Sequence, residues 1–161
     1  MSIGGTWGKI LHVDLSNGKI CTETLPDEVY KKLVGGRALV AYLLLRDLPK
    51  GADPLGPDNL LIFAPGVMQG SNLPGSGRNG VGGKSPLTGA LGSSEAGGWW
   101  GHEFKRTGFD ALVVHGKAAQ PVYMWIRDGE AKILSANHLW GRDVAEVEAA
   151  IRDEQKDDRI R

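Results

Sequence analysis

Apolar and polar residues alternate between Trp7 and Leu15, a pattern that is typical of a half-buried β-strand. The run is followed by the pair Asn17-Gly18, which favours a tight turn because both residues tolerate a positive φ. A second, strand-like run extends from Ile20 to Leu25 and would form the return strand. Together these segments predict a β-hairpin.

Helical spacing replaces this alternation further along the chain. Between Arg37 and Leu48, apolar residues at intervals of three and four predict a helix with one broad apolar face, made of Leu39, Val40, Leu43, Leu44 and Leu48. A shorter helix is predicted before it, beginning at Pro26 and ending at Gly35-Gly36, because proline favours a helix start and glycine a helix end. Asp143 and Glu146 have the spacing of a capping box and predict another helix.

Two short, continuously apolar runs, Asn59–Pro65 and Ala111–His115, predict strands that are buried on both faces. The runs Pro121–Ile126 and Ala131–Leu134 flank Asp128-Gly129 and predict a second hairpin. Strands and helices follow one another without the regular βαβ order of a parallel sheet. The predicted fold class is therefore α+β, and a length of 161 residues suits a single domain.

The overall composition excludes several classes of protein. Acidic and basic side chains number 19 each, so the zero net charge gives no broad basic surface for nucleic acid or an anionic membrane. The single cysteine, Cys21, cannot form an internal disulfide or hold an iron–sulfur cluster, and we expect it to be a small packed residue. No run approaches the roughly 18 apolar residues of a membrane span and no secretory signal is recognisable, so we expect a cytoplasmic protein.

Glycine is over-represented: the chain has 24, about 15% against a usual 7% or so, and half of them lie between Gly66 and Gly101. This glycine-rich tract contains few bulky side chains and two cations, Arg78 and Lys84. Successive backbone N–H groups without side-chain bulk form anion-binding nests, and a guanidinium adds bidentate hydrogen bonds to phosphate. A short helix predicted over Gly98–Thr107 would direct its positive end at the same place. The residues alone therefore indicate a phosphate- or pyrophosphate-bearing ligand held against backbone.

Two familiar phosphate motifs fit this tract poorly. Gly83-Lys84-Ser85 resembles the end of a P-loop, but the position that needs glycine is Arg78, and Pro86 would disrupt the helix that must follow. The segment from Gly75 to Gly80 matches G-x-G-x-x-G, yet no strand is predicted immediately before it and no helix immediately after it. We therefore expect neither a P-loop nor a dinucleotide-binding site.

Several blocks of sequence, taken in chain order, carry a more specific resemblance. They are Trp7–Gly18, Gly35–Arg37, Gly77-Arg78, Lys84–Gly89, Glu95–Gly101, Phe109–Lys117 and Ala136–Gly141. In these blocks the chain resembles the tungsten-containing aldehyde:ferredoxin oxidoreductases, and the likeness extends over essentially all of it. The resemblance implies an amino-terminal α+β domain, with two facing, largely antiparallel β-sheets and a few short helices, that forms a base for a bis-pterin tungsten cofactor.

The resemblance also implies cofactor contacts in two parts of the glycine-rich tract. Arg78 matches an arginine that contacts the pterin, and Gly97 matches a glycine whose backbone lies against it. Ala96 and Gly98, on either side, are assigned to the same contact. Glu95 stands where members often carry asparagine, whose backbone carbonyl helps to hold a magnesium ion bridging the two pterin phosphates. A carboxylate beside phosphate is repulsive unless it pairs with one of the two cations of the tract or with the metal.

For the complete enzyme, the resemblance implies oxidation of an aldehyde to a carboxylic acid, with two electrons passing through an iron–sulfur cluster to ferredoxin. The metal is implied to be tungsten or molybdenum. The cluster and most of the substrate pocket are expected in further helical domains outside these 161 residues, so we expect the chain alone to be inactive. Its expected partners are the remaining domains or subunit of the same enzyme, and a homodimer is compatible with this organisation.

Two other functions are compatible with these residues. The chain would be a structural or assembly subunit if a separate chain carried all of the catalysis. It would be an unrelated anion-binding module if the glycine-rich tract formed a closed loop around a simple phosphate or nucleotide. The first alternative differs from the enzyme domain in whether coding sequence for the remaining domains follows Arg161, and a domain cut from a larger enzyme is expected to expose a broad apolar face. The second alternative would place no flat cleft beside the tract.

Aromatic and imidazole side chains are expected to have mainly structural roles. Trp99 and Trp100 suit core or interdomain packing better than stacking on a pterin. The histidines are dispersed without metal-ligand spacing, and they are His12, His102, His115 and His138. Among them, only His102 falls beside the expected cofactor contacts.

Overall fold

The computed structural model of the protein describes residues 4–160 and contains short helices and strands in mixed order. In chain order they are β1 (Lys9–Asp14), β2 (Lys19–Thr24), α1 (Asp27–Leu33), α2 (Gly36–Asp47), β3 (Leu60–Pro65), β4 (Asn79–Lys84), β5 (Leu91–Ala96), α3 (Trp100–Arg106), β6 (Ala111–His115), β7 (Val122–Arg127), β8 (Glu130–Ser135) and α4 (Val144–Gln155). The predicted α+β class is confirmed.

Most strands belong to one six-stranded sheet with the order β2-β1-β6-β3-β4-β5. Strand β1 runs parallel to β6, whereas the other pairings within the described residues are antiparallel. Strands β7 and β8 form a separate two-stranded sheet. Both predicted hairpins are confirmed. Asp128 and Gly129 take positive φ angles of 50° and 82°, as a two-residue hairpin turn requires, whereas in the first hairpin only Gly18 does so.

Alternating residues of the central strands contact two separate cores, one on each face of the large sheet. In β6, Ala111 and Val113 join a core with α1 and α2, whereas Leu112 and Val114 join a core with α3. Apolar residues of β7 and β8 pack against this second core, and they are Met124, Ile126, Ala131 and Ile133. The two sheets therefore face each other across it, as predicted.

Strands β4 and β5 lie inside the glycine-rich tract and were not predicted, because glycine lacks the β-branched and aromatic side chains that mark a strand. Two glycines of β4, Gly80 and Gly82, allow a close approach of α2. A Cβ on Gly82 would lie 2.7 Å from Val40 Cγ1, and one on Gly80 would lie 3.1 Å from the backbone nitrogen of Arg37. Part of the glycine enrichment thus serves packing, since a strand glycine marks close backbone approach.

Helix α4 begins as the sequence predicts. The Asp143 carboxylate accepts a hydrogen bond from the Glu146 backbone N–H, and the Glu146 side chain accepts one from the Asp143 N–H. The helix is held to β7 by Tyr123, whose hydroxyl donates to Glu154 Oε1 at 2.8 Å. None of the helices within residues 4–160 is long and apolar enough to cross a membrane.

Cys21 corrects one expectation. The cysteine lies on β2, the outer strand of the six-stranded sheet, and its side chain is exposed rather than packed. The turn at Asn17-Gly18 predicts a return strand here but does not reveal that the strand lies at the sheet edge. An edge strand has a neighbour on one side only, so its side chains are less covered than those of a central strand.

Candidate functional site

The residues expected to contact a cofactor meet at one end of the β4–β5 pair. Asn79 lies opposite Ala96 and Gly80 lies opposite Glu95 in the strand register. Arg78 therefore immediately precedes β4 at the same end at which Gly97 follows β5. A Cβ on Gly97 would be 3.8 Å from the carbonyl oxygen of Gly77, which is consistent with this proximity.

Arg78 is the most available cation at this end of the sheet. Its side chain is exposed and makes no hydrogen bond or ion pair with another residue in the range 4–160. The next residue, Asn79, is only 5% exposed, and its buried Oδ1 receives no hydrogen bond from those residues. A buried acceptor without a donor costs about 1–3 kcal/mol, so this pair combines a free guanidinium with an unsatisfied acceptor.

Glu95 pairs with a cation that the sequence did not indicate. Its Oε1 lies 3.3 Å from Nη2 of Arg37, which is in the first turn of α2. Both side chains are partly exposed, so the pair adds little stability by itself. It does, however, offset the negative charge of Glu95 at the end of the sheet. The first turn of α2 has no side-chain cap and no acidic residue, which adds positive character there.

The backbone after β5 is open to solvent. Ala96, Gly97 and Gly98 are exposed, and Gly98 has a φ of 88°, in the left-handed region that favours glycine. No atom beyond its chain neighbours would lie within 4 Å of a Cβ on Gly98. A flat ligand would therefore reach this backbone without displacing side chains.

The start of α3 and the loop between β3 and β4 form the other side of this site. The Gly70 N–H donates a 3.0 Å hydrogen bond to Nδ1 of His102. Gln69 is 2% exposed, its amide has no hydrogen-bond partner within residues 4–160, and a Cβ on Gly101 would collide with it. The β3–β4 loop thus packs on α3 at His102 and Gly101.

Comparisons with known proteins show the family of the chain. Residues 10–161 match the model of a family described as aldehyde ferredoxin oxidoreductase, N-terminal domain. The chain belongs to this family. The tungsten-containing aldehyde ferredoxin oxidoreductase of Thermococcus kodakarensis is 46% identical over 93% of the chain and 25% of its own length, and that of Pyrococcus furiosus is 44% identical over 98% and 26%.

Relatives of the aldehyde ferredoxin oxidoreductase family with other names also match. The aliphatic sulfonate oxidoreductase, WOR-like subunit, of Pyrococcus furiosus is 36% identical over 83% of the chain and 22% of its own length. A solved active-site complex of benzoyl coenzyme A reductase with 1,5-dienoyl-CoA superposes with a TM-score of 0.91 and 32% identity, over 96% of this chain and 24% of that one. The chain spans about a quarter of the length of these relatives.

Lys84 does not lie at the end of β4 at which Arg78 and Gly97 meet. It ends β4, five residues beyond Asn79, so the two ends of the strand are separated by roughly 17 Å. Its Nζ donates to the carbonyl oxygen of Ala52 instead. Arg78 and Lys84 therefore do not bind one anion together. Of the glycine-rich tract, only the end at Arg78 and Gly97 remains as a candidate anion-binding site.

Both weakly matching phosphate motifs are excluded by the strand positions. Lys84 lies in β4 and not at the start of a helix, as a P-loop lysine would. The G-x-G-x-x-G segment runs into β4 at Asn79, whereas a dinucleotide motif runs from a strand into a helix. The family assignment likewise replaces the hypothesis of an unrelated anion-binding module.

The two tryptophans at the start of α3, Trp99 and Trp100, have different environments. Trp100 packs in the second core, with ring centroids 5.3 Å from Phe63 and 5.0 Å from Phe104, so the expected packing role is confirmed for it. Trp99 is 66% exposed and borders a groove of about 480 Å³ between α3 and β7. Its ring is therefore not part of the core.

A second polar cluster lies away from the candidate site. His12 Nδ1 is 3.1 Å from His115 Nε2, and His12 Nε2 donates to Glu23 at 2.9 Å. Burial, and after it the charge of His12, hold the pKa of His115 below its ordinary value. Burial would raise the pKa of Glu23, but hydrogen bonds from Arg46 and His12 outweigh it and lower that pKa. Within residues 4–160, no three or more His, Cys, Asp or Glu side chains, this cluster included, are arranged so that they could hold a metal ion.

Proposed function

We propose that this chain is the cofactor-cradling N-terminal domain of an oxidoreductase with a tungsten or molybdenum bis-pterin. The observation that carries the proposal is the unpartnered Arg78 beside the open backbone of Gly97 and Gly98. A guanidinium and exposed amides suit a flat, phosphate-bearing ligand, because both donate hydrogen bonds to anionic oxygens. Two relatives are named tungsten-containing enzymes, which supports the choice of metal.

The side chains present fit such a group. The Arg78 guanidinium is exposed and unpaired among residues 4–160, and the backbone at Gly97 and Gly98 is open, as a flat anionic ligand requires. Arg78 would hold the ligand by charge, and the backbone of Ala96, Gly97 and Gly98 would lie against its face. The Glu95 carbonyl would help to hold a magnesium ion, with the Glu95 carboxylate turned toward Arg37. When bound, the metal–pterin group supplies the redox chemistry, and these residues orient it.

The complete enzyme is proposed to oxidise an aldehyde to a carboxylic acid and to pass electrons to ferredoxin. Relatives that share this domain are named for an aldehyde, an aliphatic sulfonate and benzoyl coenzyme A. A domain common to such different substrates suits a role in holding the cofactor rather than selecting the substrate. We therefore propose that further domains supply the substrate pocket and an iron–sulfur cluster, and that residues 1–161 alone are inactive.

The proposal is tested by measuring bound metal and pterin. The chain is expressed with and without the downstream region that its relatives carry, and tungsten, molybdenum and pterin are quantified in the purified protein. We expect the cofactor only in the longer protein. Arg78→Ala should weaken its retention about 10- to 150-fold, since a hydrogen bond to a charged group contributes about 1.5–3 kcal/mol.

Arg142→Ala is the matched control, because Arg142 is also exposed but lies in the loop before α4. It should leave the cofactor content unchanged. A stoichiometric cofactor in residues 1–161 alone would refute the need for further domains. Absence of cofactor from both proteins would refute the cradle and favour a structural or assembly subunit.

A further inference from the structure

The hydrogen bond between Gly70 and His102 selects the tautomer of the neutral imidazole ring. The Gly70 N–H donates to Nδ1 at 3.0 Å, so Nδ1 presents its lone pair and carries no proton. A neutral imidazole has one protonated nitrogen, which here must be Nε2. His102 is therefore an N–H donor at Nε2.

This donor lies at the edge of the candidate site. A Cβ on Gly77 would be 3.7 Å from His102 Nε2, and Gly77 immediately precedes Arg78. Gly77 in turn faces Gly97, whose Cβ position is 3.8 Å from the Gly77 carbonyl oxygen. His102 is partly exposed, and its Nε2 makes no hydrogen bond to another residue between 4 and 160.

We propose that His102 is a further cofactor-binding residue, whose Nε2–H donates a hydrogen bond to an acceptor atom of the pterin cofactor held at Arg78 and Gly97. The inference rests on the proposed function. It also assigns the kind of contact: a protonated Nε2 has no lone pair for a metal ion, so the partner is an oxygen or nitrogen acceptor of the organic ligand. The same ring fixes Gly70, and with it the loop that leads to Arg78.

Two substitutions separate these roles of the ring. The short amide in His102→Asn places an oxygen near the position of Nδ1, so it keeps an acceptor for Gly70 and removes the distal donor. The longer amide in His102→Gln places its NH₂ group near the position of Nε2, so it keeps the distal donor and loses the proximal acceptor. Each variant thus retains the function that the other lacks.

The experiment compares pterin release from the cofactor-loaded protein that includes the downstream region of its relatives. Release is followed by pterin fluorescence, and the Gly70 amide is followed by hydrogen exchange. We expect His102→Asn to release pterin about 3- to 10-fold faster than the wild type while Gly70 stays protected. His102→Gln should release pterin within about twofold of the wild type, although Gly70 exchanges faster.

The opposite order of release, with His102→Gln fast and His102→Asn like the wild type, would show that only the loop contact matters and would overturn the inference. Nitrogen NMR of the 161-residue chain is an independent test, and a proton on Nδ1 of His102 would overturn it as well. Arg78→Ala distinguishes failure of the underlying site. If it accelerates release and the two His102 variants do not, only the role of His102 is wrong; if it has no effect, the proposed site is wrong.

Discussion

Replacing Gly82 with alanine tests whether the glycines of β4 serve the packing of α2. A Cβ at this position would lie 2.7 Å from Val40 Cγ1 and 2.8 Å from the carbonyl oxygen of Gly92. Carbon atoms in good contact are about 3.5–4.0 Å apart, so both neighbours would have to move. Val40 is fully buried, and Gly92 belongs to β5, which is paired with β4.

The expected cost follows from these two contacts. An extra methyl group in a well-packed core costs about 1–3 kcal/mol, and the lower entropy of the unfolded alanine chain offsets about 0.4–1 kcal/mol. Because one obstructing atom belongs to the backbone, we expect Gly82→Ala to lower the free energy of unfolding by about 2 kcal/mol. For a domain of this size the melting temperature should fall by about 4–8 °C.

The measurement is urea and thermal denaturation of the 161-residue chain, followed by circular dichroism. Val40→Ala provides the coupled control, because it removes the Cγ1 contact but not the contact with Gly92. The double variant Gly82→Ala/Val40→Ala should lose about 1 kcal/mol less free energy of unfolding than the sum of the losses in the two single variants. A single Gly82→Ala variant within about 0.5 kcal/mol of the wild type would refute the packing explanation.

Three further results are expected. Asp110→Asn leaves the buried Lys105 ammonium without its counter-charge, so urea denaturation should show a loss of about 3 kcal/mol. Because burial lowers the pKa of His115 in the folded protein, stability should fall as the pH decreases through the ordinary value of 6.5, and His115→Gln should reduce this fall in denaturation series. Arg37→Ala leaves Glu95 unpaired beside the proposed anionic ligand and should accelerate pterin release. Adding Glu95→Gln should bring the release rate back to that of the wild type.

Each of these results has a control. Lys105→Met combined with Asp110→Asn should recover part of the stability, because no buried charge remains. An unchanged pH dependence in His115→Gln would show that His115 is not its cause. If adding Glu95→Gln to Arg37→Ala fails to slow the release, repulsion by Glu95 is not the cause.

The sequence alone was sufficient wherever a signal is local. The hairpin turn at Asp128-Gly129, the capping box at Asp143 and the apolar face of α2 each depend on residues only a few positions apart. Their conformations follow from backbone sterics and side-chain spacing, which a sequence displays directly. The class of the fold and the position of most elements followed from such signals.

The candidate site required more than local signals. Arg78, Glu95 and Gly97 were assigned by resemblance, and their meeting depends on the register of β4 with β5. No local pattern predicted those strands, because glycine has a low strand propensity and the close contacts of Gly80 and Gly82 with α2 form only in the folded chain. Similarly, the exposure of Cys21 depends on β2 being at the edge of the sheet.

The sequence by itself determined the elements other than β4 and β5, the single α+β domain and the glycine-rich tract in which the site lies. Only the tertiary structure decided which polar groups face one another, including Arg37 with Glu95 and His102 with Gly70. Those pairs are 58 and 32 residues apart in the chain. Contacts at such separations depend on how helices pack on the sheet, so the spacing of residues along the chain does not encode them directly.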